Sequence, residues 1–166
     1  MTIPALAPSF CQIAWVVKDL AAAEKFFIET MGIPKFMHMD NLSAKETDGT
    51  YRGKPGNWVC NLHIAYAGDT QIELIQPVSG ESMYQESLDR HGDAVQHVAY
   101  WLDDADYDAA AKHLVSAGYP EIQSFKLPIL RVGYFDTRSV IGVVTEIVGS
   151  TEEGHAFRRN LKAGKF

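Results

Sequence analysis

Two polar residues stand out because they lie in short apolar segments typical of buried β-strands. Glu73 lies within Gln-Ile-Glu-Leu-Ile, and His97 lies within Val-Gln-His-Val-Ala. A carboxylate or an imidazole in a core strand is unfavourable unless a partner satisfies it. A shared metal ion satisfies both at once, because both groups are common ligands of divalent metals. The pair therefore predicts a metal site that draws further ligands from other segments.

An internal repeat identifies the further ligands. Gln12 aligns with His97, 85 positions later, and the residues around both align as well. Glu73 in Ile-Glu-Leu-Ile aligns with Glu146 in Thr-Glu-Ile-Val. Such self-similarity is the signature of a duplicated structural unit. If the two halves pair about a pseudo-twofold axis, the four polar side chains converge on one point, which is the geometry of a metal site.

The elements needed to position these residues follow the same repeat. Each half reads as a strand, a helix and three strands, with Asp19 and Asp104 as candidate helix N-caps. We expect an N-terminal arm over residues 1–9, a first module over 10–78, a linker over 79–93, a second module over 94–149 and a helical tail over 150–166. The polar residues 40–56 predict a long loop, which is either a lid or an exposed excursion.

Composition excludes several classes of function. The chain has 166 residues, of which 46 % are hydrophobic and 22 % charged, as in ordinary globular proteins. Its formal net charge of −6 disfavours nucleic acid as a partner. No apolar run approaches the roughly 18 residues of a membrane span, and the N-terminus does not resemble a secretory signal. Two cysteines predict a reduced protein with a cytoplasmic location.

Residues 10–149 resemble the vicinal oxygen chelate superfamily, which includes glyoxalase I, methylmalonyl-CoA epimerase, extradiol dioxygenases and bleomycin-resistance proteins. The resemblance implies an α+β fold in which two βαβββ modules form a cupped mixed sheet around a central cleft. The set Gln12, Glu73, His97 and Glu146 is similar, in chain order, to the metal ligands of animal-type glyoxalase I. The resemblance also implies a homodimer.

A second resemblance concerns the segment from Leu74 to Tyr100. Its Arg-His-Gly and Gln-His-Val-Ala sequences look like those of methylmalonyl-CoA epimerase, a family that usually carries His, Gln, His and Glu as ligands. Val16 and Pro77 stand where glyoxalase I has an Arg and an Asn, so a glutathione adduct is not the expected substrate.

The ligand set predicts the chemistry. Two carboxylates beside a divalent ion suit proton abstraction next to a carbonyl through a metal-stabilised enolate. The expected function is a metal-dependent isomerase, epimerase or lyase, with an acyl thioester as one candidate substrate. The resemblance implies Glu146 as the base and Glu73 as its counterpart on the other face, and the sequence leaves the reverse assignment open. One imidazole with oxygen ligands suits Zn, Ni, Co, Mn or Fe without choosing among them.

Two alternatives remain open from the sequence. A metal-free protein of the same superfamily would bind and sequester a hydrophobic or aromatic compound in the cleft. An extradiol dioxygenase is disfavoured because its metal site needs two His and one carboxylate. Side chains expected in an apolar pocket are Trp101, His63, Phe125, Tyr134 and Phe135. Basic residues of the tail, including Arg158, Arg159 and Lys162, would either clamp a phosphate or CoA or form a solvated helix face.

Overall fold

The computed structural model of the protein describes residues 6–166. Of the arm predicted for residues 1–9, residues 1–5 lie outside the described part of the chain, and Ala7–Ser9 forms a short 3-10 helix. The elements of the first half are β1 (Phe10–Val16), α1 (Leu20–Glu29), β2 (Met37–Ser43), β3 (Thr50–Tyr51), β4 (Lys54–Pro55), β5 (Val59–Ala67) and β6 (Thr70–Ser79).

The second half follows a short helix and repeats the strand, the helix and the three longer strands of the first half, and its described residues contain no counterpart of the β3–β4 hairpin. Its elements are α2 (Met83–His91), β7 (Ala94–Asp103), α3 (Asp104–Ser116), β8 (Glu121–Leu127), β9 (Leu130–Phe135), α4 (Arg138–Ile141), β10 (Val144–Ser150) and α5 (Glu152–Lys162). None of the helices found in residues 6–166 is long and apolar enough to cross a membrane.

The ten strands found in residues 6–166 belong to one mixed sheet, in the order β2-β5-β6-β1-β7-β10-β9-β8-β3-β4. The first strands of the two halves, β1 and β7, pair antiparallel at the centre. Each is flanked by the last strand of its own half in parallel, β6 beside β1 and β10 beside β7. The predicted fold of two βαβββ modules in a cupped mixed sheet is confirmed.

The two helices of the repeat cover the convex face of the sheet. Trp15 and Val17 pack with α1, while Tyr100 and Leu102 pack with α3. Alternate residues of the same strands, such as Ala14, face the concave side and join the largest core cluster. Apolar burial on both faces stabilises the sheet.

The helix starts agree with the sequence prediction in one case and differ in the other. Asp19 caps α1, because its Oδ1 accepts a hydrogen bond from the backbone nitrogen of Ala22 at 2.9 Å. The prediction of Asp104 as a cap is wrong. Asp103 precedes α3 without a side-chain cap bond, and Asp104 accepts from Arg131 Nε at 2.6 Å.

The segment 40–56 is not one long loop. Residues 40–43 extend β2, and β3 and β4 form a small hairpin whose first strand pairs with β8 of the other half, Thr50 opposite Ser124. Trp58, 1 % exposed, donates from its indole nitrogen to the Thr50 carbonyl oxygen at 3.2 Å. The backbone nitrogen of Lys126 donates to the carbonyl of Thr47 at 2.8 Å. These contacts fix the segment across the rim of the cup.

Gly80, which follows β6, offers a test of how tightly the backbone at the end of segment 40–56 is held. Its φ is +78°, and a Cβ at this position would lie 2.2 Å from the carbonyl oxygen of Asn57. Gly68, in the turn between β5 and β6, has a φ of +61° and no atom within 4 Å of an added Cβ. It is therefore a matched control for the backbone strain alone.

We expect Gly68→Ala to lower the free energy of unfolding by about 1–2 kcal/mol, the cost of a left-handed L-residue. Gly80→Ala should cost about 1–3 kcal/mol more, because the methyl group also clashes with backbone that cannot rotate away. Urea unfolding of both variants measures the difference. An equal decrease in the free energy of unfolding for both variants would show that the backbone around Asn57 moves aside at no cost.

Candidate metal centre and cleft

Gln12 and His97 meet where the two halves of the sheet join. Gln12 lies on β1 opposite Ala99, and His97 lies on β7 opposite Ala14. Paired residues project to the same face of a sheet, so all four side chains point to the concave side. Ala14 and Ala99 are each fully buried, and their methyl groups leave the space into which the longer side chains extend.

The two carboxylates come from the flanking strands. Glu73 on β6 lies beside Ala14, and Glu146 on β10 lies beside Ala99. Each alanine therefore has one predicted ligand on either side, and the arrangement has the same pseudo-twofold symmetry as the repeat. The fold brings all four predicted residues together.

The four polar groups form a tight cluster. The amide nitrogen of Gln12 lies 3.1 Å from Glu73 Oε2, 3.1 Å from His97 Nε2 and 3.2 Å from Glu146 Oε2. His97 Nε2 lies 2.8 Å from Glu146 Oε2 and 3.3 Å from Glu73 Oε2. All four residues are buried, with His97 0 % and Glu73 6 % exposed.

The donor set fits a divalent metal ion. Ligands held at about 2.0–2.2 Å from one ion lie roughly 3 Å apart, which is the spacing of these four groups. Rotation of the Gln12 amide by half a turn places its oxygen where its nitrogen lies, so this side chain can offer a neutral oxygen ligand. Two carboxylates, one imidazole and one amide oxygen match zinc, nickel, cobalt, manganese or iron(II).

A residue that sequence reasoning missed orients the imidazole. His97 Nδ1 donates to Gln96 Oε1 at 2.7 Å, which leaves Nε2 directed at the cluster. Gln96 lies at a β-bulge, since Trp15 pairs with Val95 and Ala14 with His97. A bulge re-aims side chains, and here it turns Gln96 toward its own neighbour. The contact is the arrangement by which metal-binding histidines are commonly held.

Burial and charge oppose each other in the cluster. Burial alone lowers the pKa of the His97 imidazole, but the carboxylates of Glu146 and Glu73 outweigh it and raise that pKa to about 9. Burial also raises the pKa of Glu146, against the opposing positive charge of His97. Without a metal ion, the two carboxylates therefore favour the protonated imidazole, and an incoming ion must displace that proton.

The cluster opens into a cavity of about 410 Å³. Its polar lining consists of Gln12, Gln71, Glu73 and Glu146, and the rest is apolar. The described residues that line it include no Lys, Arg or His. The apolar lining comprises Met37, Met39, Leu62, Ile64, Trp101, Phe125, Leu127, Pro128, Ile129, Leu130, Val132, Val148, Phe157 and Leu161. The cavity thus favours an uncharged, apolar ligand beside the polar cluster.

Two of the five predicted pocket residues, Trp101 and Phe125, line this cavity. Tyr134 lies behind the cluster instead, with its ring centroid 5.2 Å from that of His97 in an edge-on arrangement. Phe135 is on the opposite face of the same strand and packs in the core under α3. Neighbouring strand residues point to opposite faces, so both could not line one pocket.

His63 is also absent from the cavity, which corrects the sequence prediction. Its neighbours Leu62 and Ile64 line the cavity, so His63 must project to the convex face. There it contacts Glu24 of α1. The strand is buried on both faces, which is why the sequence pattern did not reveal its orientation.

The C-terminal helix α5 covers part of the cavity with Phe157 and Leu161, which the sequence analysis did not single out. Their i, i+4 spacing on an otherwise polar helix is the signal that was available. Arg158 donates to the Tyr66 hydroxyl at 3.1 Å and lies 5.2 Å above the Trp101 ring. The basic side chains of this helix therefore hold it against the sheet.

Arg159 and Lys162 are likewise engaged. Arg159 pairs with Glu152, and Lys162 pairs with Asp69 in the turn between β5 and β6. Of the two interpretations of these basic residues, intramolecular pairing of a solvated helix face agrees with these contacts better than a phosphate clamp does.

Comparisons with known proteins agree with this architecture. A model of the Glyoxalase/Bleomycin resistance protein/Dioxygenase superfamily matches residues 11–128. No curated protein gives a significant sequence match. The methylmalonyl-CoA epimerase from Mycobacterium tuberculosis has a similar structure, with 20% identity, a TM-score of 0.65, and coverage of 94% of this chain and 97% of that chain.

Two further structures show the same likeness. A hypothetical protein from Bacillus halodurans is 18% identical, with a TM-score of 0.63 and coverage of 86% of this chain and 94% of that chain. A variant of methylmalonyl-CoA epimerase from Streptomyces coelicolor, in complex with 2-nitronate-propionyl-CoA, is 22% identical, with a TM-score of 0.59 and coverage of 86% and 94%. At these identities the structural likeness establishes the fold. Together with the family match over most of the sequence, it shows that this chain belongs to the glyoxalase/bleomycin resistance protein/dioxygenase group, the vicinal oxygen chelate superfamily.

Proposed function

We propose that this protein is a metal-dependent isomerase, epimerase or lyase that removes a proton from the carbon next to a carbonyl group of a small molecule. The observation that carries the proposal is a cluster of four polar side chains at the end of an apolar cavity: Gln12, Glu73, His97 and Glu146. The contacts between their polar atoms are 3.3 Å or shorter. These residues would hold a divalent ion. When bound, the ion would polarise the carbonyl and stabilise the enolate charge.

The chain's own groups would move the proton. Glu146 is the proposed base, because burial raises its pKa and hence its affinity for a proton. A carboxylate oxygen takes the proton from carbon, and the electron pair of the broken C–H bond moves into the enolate. Glu73 approaches from β6, on the other side of the β1–β7 seam. A proton delivered from Glu73 to the opposite face of the same carbon would give epimerisation.

The cavity supports a substrate class. Methylmalonyl-CoA, named for several structures of similar fold, carries a free carboxylate, and the proposed metal ion would be its one cationic partner among the described groups of this cavity. The absence of Lys, Arg and His from the described lining argues for a carbonyl compound whose buried part is apolar and uncharged. An acyl thioester with an apolar acyl group meets this requirement, as does an apolar ketone.

A metal-free binding protein is the second candidate function. The apolar lining favours it, since burial of an apolar ligand in a preformed cavity needs no metal. The buried carboxylates of Glu73 and Glu146 argue against it, because they serve no purpose in holding an apolar compound and are costly to bury. A dioxygenase is less well supported, since the cluster contains a single imidazole. The homodimer and the cytoplasmic location stay predictions.

Solvent exchange tests the proton abstraction. The metal-loaded protein in D₂O should incorporate deuterium next to the carbonyl of an acceptable thioester or ketone. Glu146→Gln should slow this exchange by about 100-fold or more, because the amide cannot accept the proton. Glu153→Gln, an exposed change on α5, should leave it unaffected. Equal exchange by chelator-treated and metal-loaded protein would support the binding function instead.

Gln96 provides a test of the metal centre. Gln96→Leu removes the acceptor for His97 Nδ1 and should weaken metal affinity by about 10–100-fold. Gln96→Glu keeps an acceptor oxygen for His97 Nδ1 and should therefore retain most of the wild-type metal affinity. Competition against a chromophoric chelator measures both. Unchanged affinity in Gln96→Leu would mean that His97 is not a ligand or is held by packing alone.

Met39 provides a test of substrate class. Met39 lies on β2, opposite Leu62 of β5, and both side chains line the cavity. The wild-type protein should process an apolar acyl group with a kcat/KM at least about 10-fold above that for a carboxylate-bearing analogue. Met39→Arg should reduce or reverse the preference for the apolar acyl group, because the guanidinium would pair with the carboxylate of the analogue. Met31→Arg, at an exposed position two residues after α1, is the control. The same preference in all three proteins would contradict the assignment.

A further inference from the structure

A second group of metal-ligating side chains lies on the convex face of the first half. His38 on β2 and His63 on β5 are directly opposite each other in the antiparallel pair, and Glu24 reaches them from α1. Asp40, two residues beyond His38, adjoins the same group. We call these four residues the outer cluster. Residues adjacent to the two histidines, such as Met39 and Leu62, line the cavity, so the outer cluster is separated from the cleft by the sheet.

The geometry of the outer cluster is compact. The His38 and His63 rings stack at a centroid distance of 3.6 Å and an interplanar angle of 7°. His38 Nε2 lies 2.9 Å from Glu24 Oε2, and His63 Nδ1 contacts the same oxygen. Two imidazole nitrogens from neighbouring strands thus converge on one point above the sheet, where a helix supplies a carboxylate.

His63 faces a carboxylate with each of its ring nitrogens. Nδ1 contacts Glu24, and Nε2 lies 3.4 Å from Asp40 Oδ1. A neutral imidazole donates from one nitrogen only, so His63 itself can serve both carboxylates only if a positive charge is added, although Asp40, whose side chain is 53% exposed, also has water as a partner. The added charge is either a second proton on the ring or a bound cation.

A divalent ion resolves this conflict with both rings neutral. One ligand atom from each of Glu24, His38 and His63 lies within 4.8 Å of the others. Because the lone pair of an imidazole nitrogen lies in the plane of its ring, the stacked rings would have to rotate apart before both could bind one ion at about 2.0–2.2 Å. His38 has room for such a rotation, because its side chain is 46% exposed, whereas those of His63 and Glu24 are 11% and 17% exposed.

The chemistry of the donors selects the class of ion. Two imidazoles and one or two carboxylates suit zinc, cobalt or nickel, whereas magnesium and calcium prefer oxygen ligands alone. The surface depression at the cluster, about 390 Å³ and also lined by Asn41, Asn61 and Gln76, leaves space for water ligands. Because β2 is an end strand of the sheet, an ion held here would tie that edge to α1.

We propose that the outer cluster binds a divalent transition-metal ion of the zinc, cobalt and nickel class, with His38, His63 and Glu24 as ligands and Asp40 beside them. This site is structural, and it is independent of the proposed function of the cleft. Its ion would stabilise the packing of α1 on the edge of the first module.

The test is a titration of the metal-free, full-length protein with Zn²⁺ by calorimetry and with Co²⁺ by visible absorption. Wild-type protein should bind about two equivalents, one in each cluster. His38→Ala should bind one equivalent fewer and lose part of the rise in melting temperature that Zn²⁺ gives. His63→Gln should behave in the same way. His113→Ala, on α3 of the second half, is the matched control and should keep both equivalents.

Crystals soaked in Co²⁺ should show anomalous scattering between His38 and His63 in the wild-type protein. Equal stoichiometry in wild-type protein and His38→Ala, or NMR spectra in which protons alone titrate the two rings, would overturn the proposal. The test of the outer cluster is separate from the test of the proposed function of the cleft, because His38→Ala should lose the outer metal ion but retain deuterium exchange. Glu146→Gln should lose exchange and keep the Co²⁺ signal at the outer cluster.

Discussion

The burial of two carboxylates and one imidazole at the seam between β1 and β7 is the constraint on which this structure depends. An isolated buried charge is strongly unfavourable, so these groups must be placed within contact distance of one another or of a cation. The fold meets this requirement by symmetry: Ala14 and Ala99 each stand between two polar residues, one from the partner first strand and one from the flanking last strand.

The same constraint separates the two faces of the sheet. On the concave side, the polar cluster sits at the end of a cavity that is otherwise apolar, so its electrostatic interactions are weakly screened by water. On the convex side, α1 and α3 cover the strands with conventional apolar cores. Binding of a small molecule and stability of the scaffold are thereby assigned to different faces of the same strands.

Much of this arrangement was accessible from the sequence, because duplication doubles the signal. Gln12 alone is an unremarkable strand residue, but its alignment with His97, together with that of Glu73 with Glu146, predicted which side chains meet. The order of strands and helices followed from the same repeat. Patterns that recur at equivalent positions are less ambiguous than single residues.

The features that the sequence did not reveal arise from tertiary geometry. Gln96 contacts the ring of His97 because a bulge turns it, and regular strand alternation predicts the opposite direction. The expectation that His63 lines the cavity failed because residues 62–65 of β5 are buried on both faces of the sheet, so the sequence did not reveal which face borders the cavity. The closure of the cavity by α5 depends on contacts such as that of Arg158 with Tyr66, 92 positions apart, which no local pattern encodes.

The hairpin of β3 and β4 has a consequence for the cooperativity of the whole protein. It belongs to the first half of the chain but pairs with β8, at the far edge of the second half. The halves are thus joined at two places, the central seam and this distant edge, with the cleft between them. Neither half can come apart from the other at one junction alone, so opening the cup requires both to break, and the duplicated protein should melt as a single unit rather than as two successive ones.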